Sequence, residues 1–178
     1  MAQVVRLDNV KAVYGGAHIH SVKSTEKMEN GSVGVVGNLL TGERELREFK
    51  KPADPAKDKA SLVAEDEIMY DQTRRSQNNL TNFEIEKGKA FRVYDLEEND
   101  VFSVSLDAID GIGENPAVGN KVVLQAASHN LKEVAAADAE RFVGRIEALE
   151  NIGVTTVTGA PGMVGGVVEL AVIRVEKN

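Results

Sequence analysis

The chain contains no cysteine and no tryptophan. Without cysteine there is no disulfide, no thiolate nucleophile and no Cys-based zinc or iron–sulfur site. Aromatic rings are scarce, with five Phe and three Tyr in 178 residues. Each buried ring removes about 150–250 Å² from water. A core of small and β-branched residues is therefore thin, and burial between subunits is one way to compensate. No run approaches the roughly 18 apolar residues of a membrane-spanning helix. Met1 to Asn9 holds no apolar core of signal-peptide length. The expectation is synthesis in a reducing cytosol and a chain that stays soluble until it assembles. Positive charge is also in deficit, the formal net charge being −7. That sign opposes a nucleic-acid backbone and an anionic membrane surface, so neither is an expected partner. It favours solubility. The basic spots Lys50-Lys51 and Arg74-Arg75 are bordered by acids or polar residues and read as solvated surface.

What is present is a repeated grammar of short β-like runs separated by Gly, Asn or Asp turns. Val101 to Leu106 alternates like a half-buried strand, with Val101, Ser103 and Ser105 opposing Phe102, Val104 and Leu106. It follows the turn Asn99-Asp100 and runs into the glycine-bearing turn Asp107 to Gly113. Val4 to Tyr14 reads as an extended segment, with Gly15-Gly16 a hinge or bulge. Ala17 to Lys23 reads as a strand. Asn30-Gly31 is a type I′ hairpin signal before the run Ser32 to Leu40. Thr41-Gly42 opens a second turn, and Glu43 to Lys50 fits a strand or an exposed helical turn. Lys51–Lys59, with two prolines, is a loop, and Asp71–Asn79 is a polar run. Phe91, Val93 and Asp95 share one face, with Arg92 and Tyr94 on the other. Lys121 to Gln125 reads as a strand. Alanines near 135–140 favour a short turn or helix, followed by a strand Phe142–Ala148. The tail ends in a strand, Val167 to Val175.

Closely spaced strands with turns between them predict a mainly β protein: an antiparallel β-barrel or sandwich with extended arm and loops and at most one or two short helices. Parallel α/β architecture is disfavoured. The expected division is an N-terminal arm and β-hairpin region over residues 1–82 and a barrel- or sandwich-like domain over 83–178, or a single domain overall.

No constellation rises to a catalytic, cofactor-binding or metal-ligating assignment. His18 and His20 share a strand face, a spacing that suits zinc or nickel, but a third ligand, His129 or an acid, must come from afar. Acids cluster at Glu65-Asp66-Glu67, along Asp95 to Asp100, and at Asp107 with Asp110. None matches a calcium loop, and turn or surface acids are the default reading. Ser21 beside His20 and Ser128 beside His129 would point to opposite strand faces. Gly34-Val35-Val36-Gly37 and Gly111-Ile112-Gly113 lack the context of a phosphate loop. Asn79-Leu80-Thr81 matches a glycosylation sequon that has no secretory context.

Several segments carry a resemblance: Asn9-Val10 and Val13-Tyr14-Gly15; Asn30-Gly31-Ser32; Gly42-Glu43-Arg44-Glu45; Ile68-Met69-Tyr70-Asp71; and the block Gly88 to Gly111, with Arg92-Val93-Tyr94 and Phe102-Ser103-Val104-Ser105. Pro116-Ala117-Val118-Gly119 and Arg141-Phe142-Val143-Gly144 continue it. With these the chain resembles the head decoration, or capsid cement, proteins of tailed bacteriophages. The likeness is diffuse and covers most of the chain. It implies a β-rich virion component, not an enzyme, without cofactor, made in the host cytoplasm. Its place would be the outer capsid surface, on the major capsid protein, across capsomer junctions. A homo-oligomer is implied, a trimer suiting local threefold positions. Val4–Tyr14, Lys51–Lys59 and Asp71–Asn79 are the expected contact segments. The alternatives are a tail-tube or head-completion subunit and, from another class, a metal-dependent β-barrel enzyme.

Overall fold

In a computed structural model the structure describes residues 2–15, 18–68, 81–113, 116–137, 139–153 and 167–178. It is mainly β, with one five-residue helix and one 3-10 turn (Leu106–Ala108) among the described residues. The strands are β1 (Val5–Asn9), β2 (Ile19–Lys23), β3 (Val33–Leu39), β4 (Arg47–Lys50), β5 (Ser61–Val63), β6 (Ala90–Asp95), β7 (Val101–Ser105), β8 (Ile109–Asp110), β9 (Lys121–Leu124), β10 (Leu131–Val134), β11 (Val143–Gly153) and β12 (Val167–Lys177). The helix, α1, is Lys11–Gly15.

β2 to β6 close into a barrel in the order β2-β4-β3-β5-β6, and the other strands form a sheet ordered β1-β7-β12-β11-β9-β10-β8. The barrel thus comes from residues 19–95, whereas the sheet takes β1 from the start of the chain and everything from 101 onward. Pairing is mixed. Five strands in a closed ring cannot alternate direction all the way round, so one neighbouring pair must run parallel. That pair is β2–β4, in register at Val22–Arg47 and Lys23–Glu48. β8 and β10 are also parallel.

Alternation divides the barrel strands between two cores. Val22, Phe49, Val63, Phe91 and Val93 point inward, joined by Met28, Phe83 and Ile85, where Met28 bridges Ile85. From the same walls Val33, Leu62 and Tyr94 point outward and meet Phe102, Val104, Val122, Leu131, Phe142, Ile146 and Ile173 of the sheet. Barrel and sheet therefore share a continuous core. Asn178 fastens the junction: its amide accepts from the Ala60 N–H at 2.8 Å and donates to the Ala60 and Leu96 carbonyls at 3.0 and 2.6 Å.

Three expectations are corrected. Val4–Tyr14 is not extended throughout. It turns into α1, because Val10 and Ala12 bury in the shared core and the Asp100 carboxylate accepts the Lys11 N–H at 2.9 Å. β7 is not half-buried. Ser103 and Ser105 are enclosed as fully as Phe102, because β1 lies alongside: Ser103 donates to Asp8, and Ser105 Oγ accepts the Val4 N–H at 3.0 Å. Asn30-Gly31 does not join a hairpin, since β2 pairs with β4 and β6 rather than β3. Of the two residues only Gly31 has positive φ, at 91°. Buried Asn30 instead clamps residue 65, accepting the Glu65 N–H and donating to the Glu65 carbonyl, both at 2.9 Å. Near 135–140, where a short turn or helix is expected, the described residues form irregular backbone with no helix, strand β10 having ended at Val134.

The strands expected at Ala17–Lys23, Lys121–Gln125 and the C-terminal tail form as β2, β9 and β12. Glu43–Lys50 resolves as a turn leading to strand β4.

Candidate functional site

Among the described residues a cluster of ionisable side chains lies at one mouth of the barrel, where β2 begins and β6 ends. Inward alternation along β6 carries Phe91 and Val93 into the barrel and leaves Asp95 at its lip. A carboxylate there needs partners. Ser61 Oγ donates to its Oδ1 at 2.6 Å, and His20 Nε2 and Lys59 Nζ lie 3.2 and 3.3 Å from its Oδ2. Burial pushes the Asp95 carboxyl up, but the Ser61 hydrogen bond and the charges of Lys59 and His20 outweigh it, and the group sits below the ordinary aspartate value.

Two residues on, Glu97 binds Lys11 of α1 and approaches His18 Nδ1 at 3.3 Å. The Lys11 hydrogen bond is the main cause holding its carboxyl below the usual range. The backbone ties the same strands, with the Asp95 N–H donating to the His18 carbonyl at 2.8 Å. The histidines at i and i+2 thus meet carboxylates at i and i+2 on the facing segment. Each imidazole takes one acid, so the four groups form two separate His–carboxylate contacts rather than converging on a point.

His129 lies elsewhere. Its ring stacks on Phe49, centroids 5.5 Å apart and planes 7° apart, and its Nδ1 donates to the Val33 carbonyl at 2.9 Å. Burial holds its pKa below the ordinary imidazole value. Among the described residues no group of three or more His, Asp or Glu is placed to hold a metal ion. Glu65, Asp66 and Glu67 line an open groove of about 470 Å³ floored by Val5, Leu7 and Tyr94, and burial raises the Glu67 carboxyl. Asp107 and Asp110 do not share a partner. Asp110 accepts from Gln125 and Asn130, while the Asp107 carbonyl accepts from Gln3.

The sequence singled out His18 and His20 but missed Lys59 and Ser61 as companions of Asp95. The available signal was Asp95 sharing a face with Phe91 and Val93, because an inward carboxylate implies a cation and a donor opposite.

A second kind of site is exposed backbone. β11 and β12, 11 residues each, pair with one another along their whole length. β9 pairs with β11 only at Val143–Arg145. From Glu147 to Gly153 no further strand lies beyond β11 among the described residues. The pairing with β12 shifts register between Ile146 and Ala148. At the opposite margin β1 is an edge strand. It leads into α1, where Val13 and Tyr14 are 48% and 82% exposed. The Lys51–Lys59 loop is tied down on one side. Pro52 and Pro55 carbonyls accept the Ala127 and Arg141 N–H groups, both at 2.9 Å, and Arg141 donates to the Lys57 carbonyl at 2.7 Å. Asp71–Asn79 lies outside the described residues, as does the Gly159–Gly162 turn.

The class defined by these observations is a mainly β protein in which a closed five-stranded barrel is fused to a seven-stranded sheet. No family model, curated protein or solved structure matches the chain.

Proposed function

We propose that the chain is a virion structural protein that decorates and stabilises a phage capsid, binding the outer surface of the major capsid protein lattice across capsomer junctions as a homo-oligomer, a trimer at local threefold positions. The observation that supports this reading best is the edge of β11 from Glu147 to Gly153, which no strand covers among the described residues. An edge strand offers unpaired N–H and C=O groups to an extended segment of another chain, and alternate side chains such as Leu149 and Asn151 set the register. Several copies on one shell multiply modest contacts into firm attachment. The diffuse likeness to capsid cement proteins points the same way.

Co-sedimentation of the purified chain with undecorated shells tests the reading. Saturable binding at micromolar concentration is expected, with Leu149→Lys plus Asn151→Lys abolishing it while leaving the fold intact. Absence of binding to any undecorated shell sinks the reading. Tubes or hexameric rings in electron micrographs of the free protein would favour a tail-tube subunit instead.

A further inference from the structure

The parallel seam of the barrel ends early, and a pocket opens there. The β2–β4 ladder stops at Lys23–Glu48. The next residues of β4, Phe49 and Lys50, keep β3 on one side, at Val36 and Val35, but have no strand on the other among the described residues. Into this gap opens a largely apolar cavity of about 260 Å³, with Phe49 and Leu40 among its lining and Lys23, Lys50 and Lys87 around it. Glu48 neutralises Lys50 at 2.5 Å. Glu26, which also feels Lys87, is taken by Lys51 at 2.7 Å. Lys23 and Lys87 have no ion-pair partner among the described residues. An acidic chain therefore carries a local cationic rim around an opening onto its barrel core.

We propose that this pocket is a docking socket for an acidic peptide segment of a partner protein, one bulky apolar or aromatic side chain entering against Phe49 while flanking carboxylates meet Lys23 and Lys87. The volume favours a peptide anchor over a whole small ligand. Pockets that enclose drug-sized molecules span about 300–1,000 Å³, and this one has room for a single large side chain, with the rest of the occupant lying over the rim. An apolar anchor in a pocket is the usual seat of binding energy at interfaces. Rim charges select the partner's sign and speed encounter. The inference stands apart from the lattice reading, because it concerns the free protein and a different surface.

The test is a titration of the isotope-labelled full chain, followed by amide chemical shifts, with an end-blocked pentapeptide Asp-Glu-Phe-Glu-Asp. Saturable shifts are expected at Ser24, Leu40, Phe49, Lys50 and Gly88. Replacing the peptide's Phe by Ala, or its acids by Lys, should remove them. Lys23→Glu combined with Lys87→Glu should weaken binding at least about tenfold. These two side chains are exposed, so the fold is retained, as an unchanged melting profile would verify. Leu40→Trp, which fills the pocket, should block binding; should it fail to fold, the lysine variant still decides. No saturable shifts, shifts elsewhere, or equal binding of the Ala peptide would overturn the proposal. So would 3-phenylpropionate alone reproducing the peptide's shifts and affinity, which would make this a small-molecule site.

Discussion

The barrel interior and the core shared between barrel and sheet solve the same problem with different materials. The chain has five Phe, and three of them, Phe49, Phe83 and Phe91, fall among the eight buried residues of the barrel interior. Only Phe102 and Phe142 fall among the 19 of the shared core, which is otherwise mostly aliphatic. A small ring of strands encloses a narrow space, and a few large rings fill it: Phe49 meets Phe91 edge-on at 5.5 Å, and His129 stacks on Phe49 from the loop before β10. Facing strand layers need many smaller side chains in alternation. The scarce aromatics are therefore concentrated where shape is most exacting.

The largest test of this contrast is ring removal. Phe49→Ala and Phe102→Ala should each cost about 3–5 kcal/mol in urea unfolding. Because Leu62 and Tyr94 on the barrel wall belong to the shared core, both variants should unfold in one transition. Separate transitions by near-ultraviolet dichroism and hydrogen exchange would mean that the barrel stands alone.

Added volume comes next. A Cβ at Gly34 would lie 2.6 Å from the Phe49 ring and 2.7 Å from the Lys50 carbonyl oxygen, so β4 itself must move. At Gly144 it would lie 2.6 and 2.9 Å from methyls of Ile173 and Val122, with no backbone atom that close. Overpacking of this kind costs about 1–3 kcal/mol. Gly34→Ala should fall at the upper end and Gly144→Ala at the lower, read as urea midpoints. The reverse order would mean that the barrel wall yields more readily than the sheet.

Acid should separate the regions more gently. Burial lowers the His129 pKa, so below the ordinary imidazole value the unfolded chain takes up the proton first, and stability falls with pH until the folded value is passed. Asp95 is also depressed. Its contribution is complete above the ordinary aspartate value and is lost as pH falls through the lower folded one. His129→Phe, which keeps a ring on Phe49, should flatten the pH dependence of the urea midpoint in the mildly acidic range. Asp95→Asn should flatten only the more acidic limb. The smallest expected effect is Tyr14→Ser. With the ring this exposed, the midpoint should stay within about 0.5 kcal/mol of the parent, and lattice binding is the measurement to watch.

Local chemistry was readable in the sequence where a single residue decides it. Gly88 and Asn99 take positive φ at the turns their residue types announce, at 76° and 71°. Alternation placed Phe91, Val93 and Asp95 on one face, and strand spacing announced a β-rich barrel or sandwich without deciding between them. Distant partners were not readable. Asp100 caps α1 from 89 residues away. Asp8 and Val4 convert Ser103 and Ser105 from an apparent water face into a sealed one. At the barrel mouth, the histidine spacing was visible but the pairing of each imidazole to its own carboxylate was not. That pairing depends on β2 and β6 being neighbours, more than 65 residues apart in sequence.

An odd-membered hoop of antiparallel staves always has one joint whose members point the same way. Here that joint is also short, held in register at only Val22–Arg47 and Lys23–Glu48. The β3–β5 ladder has two register pairs as well, but the hydrogen bonds from the Gly31 N–H to the Val63 carbonyl and from the Val63 N–H to the Ser32 carbonyl, both at 2.9 Å, lengthen it. Under mechanical load the cylinder should part first along this line and peel like a clasp, leaving the remaining staves still laced together.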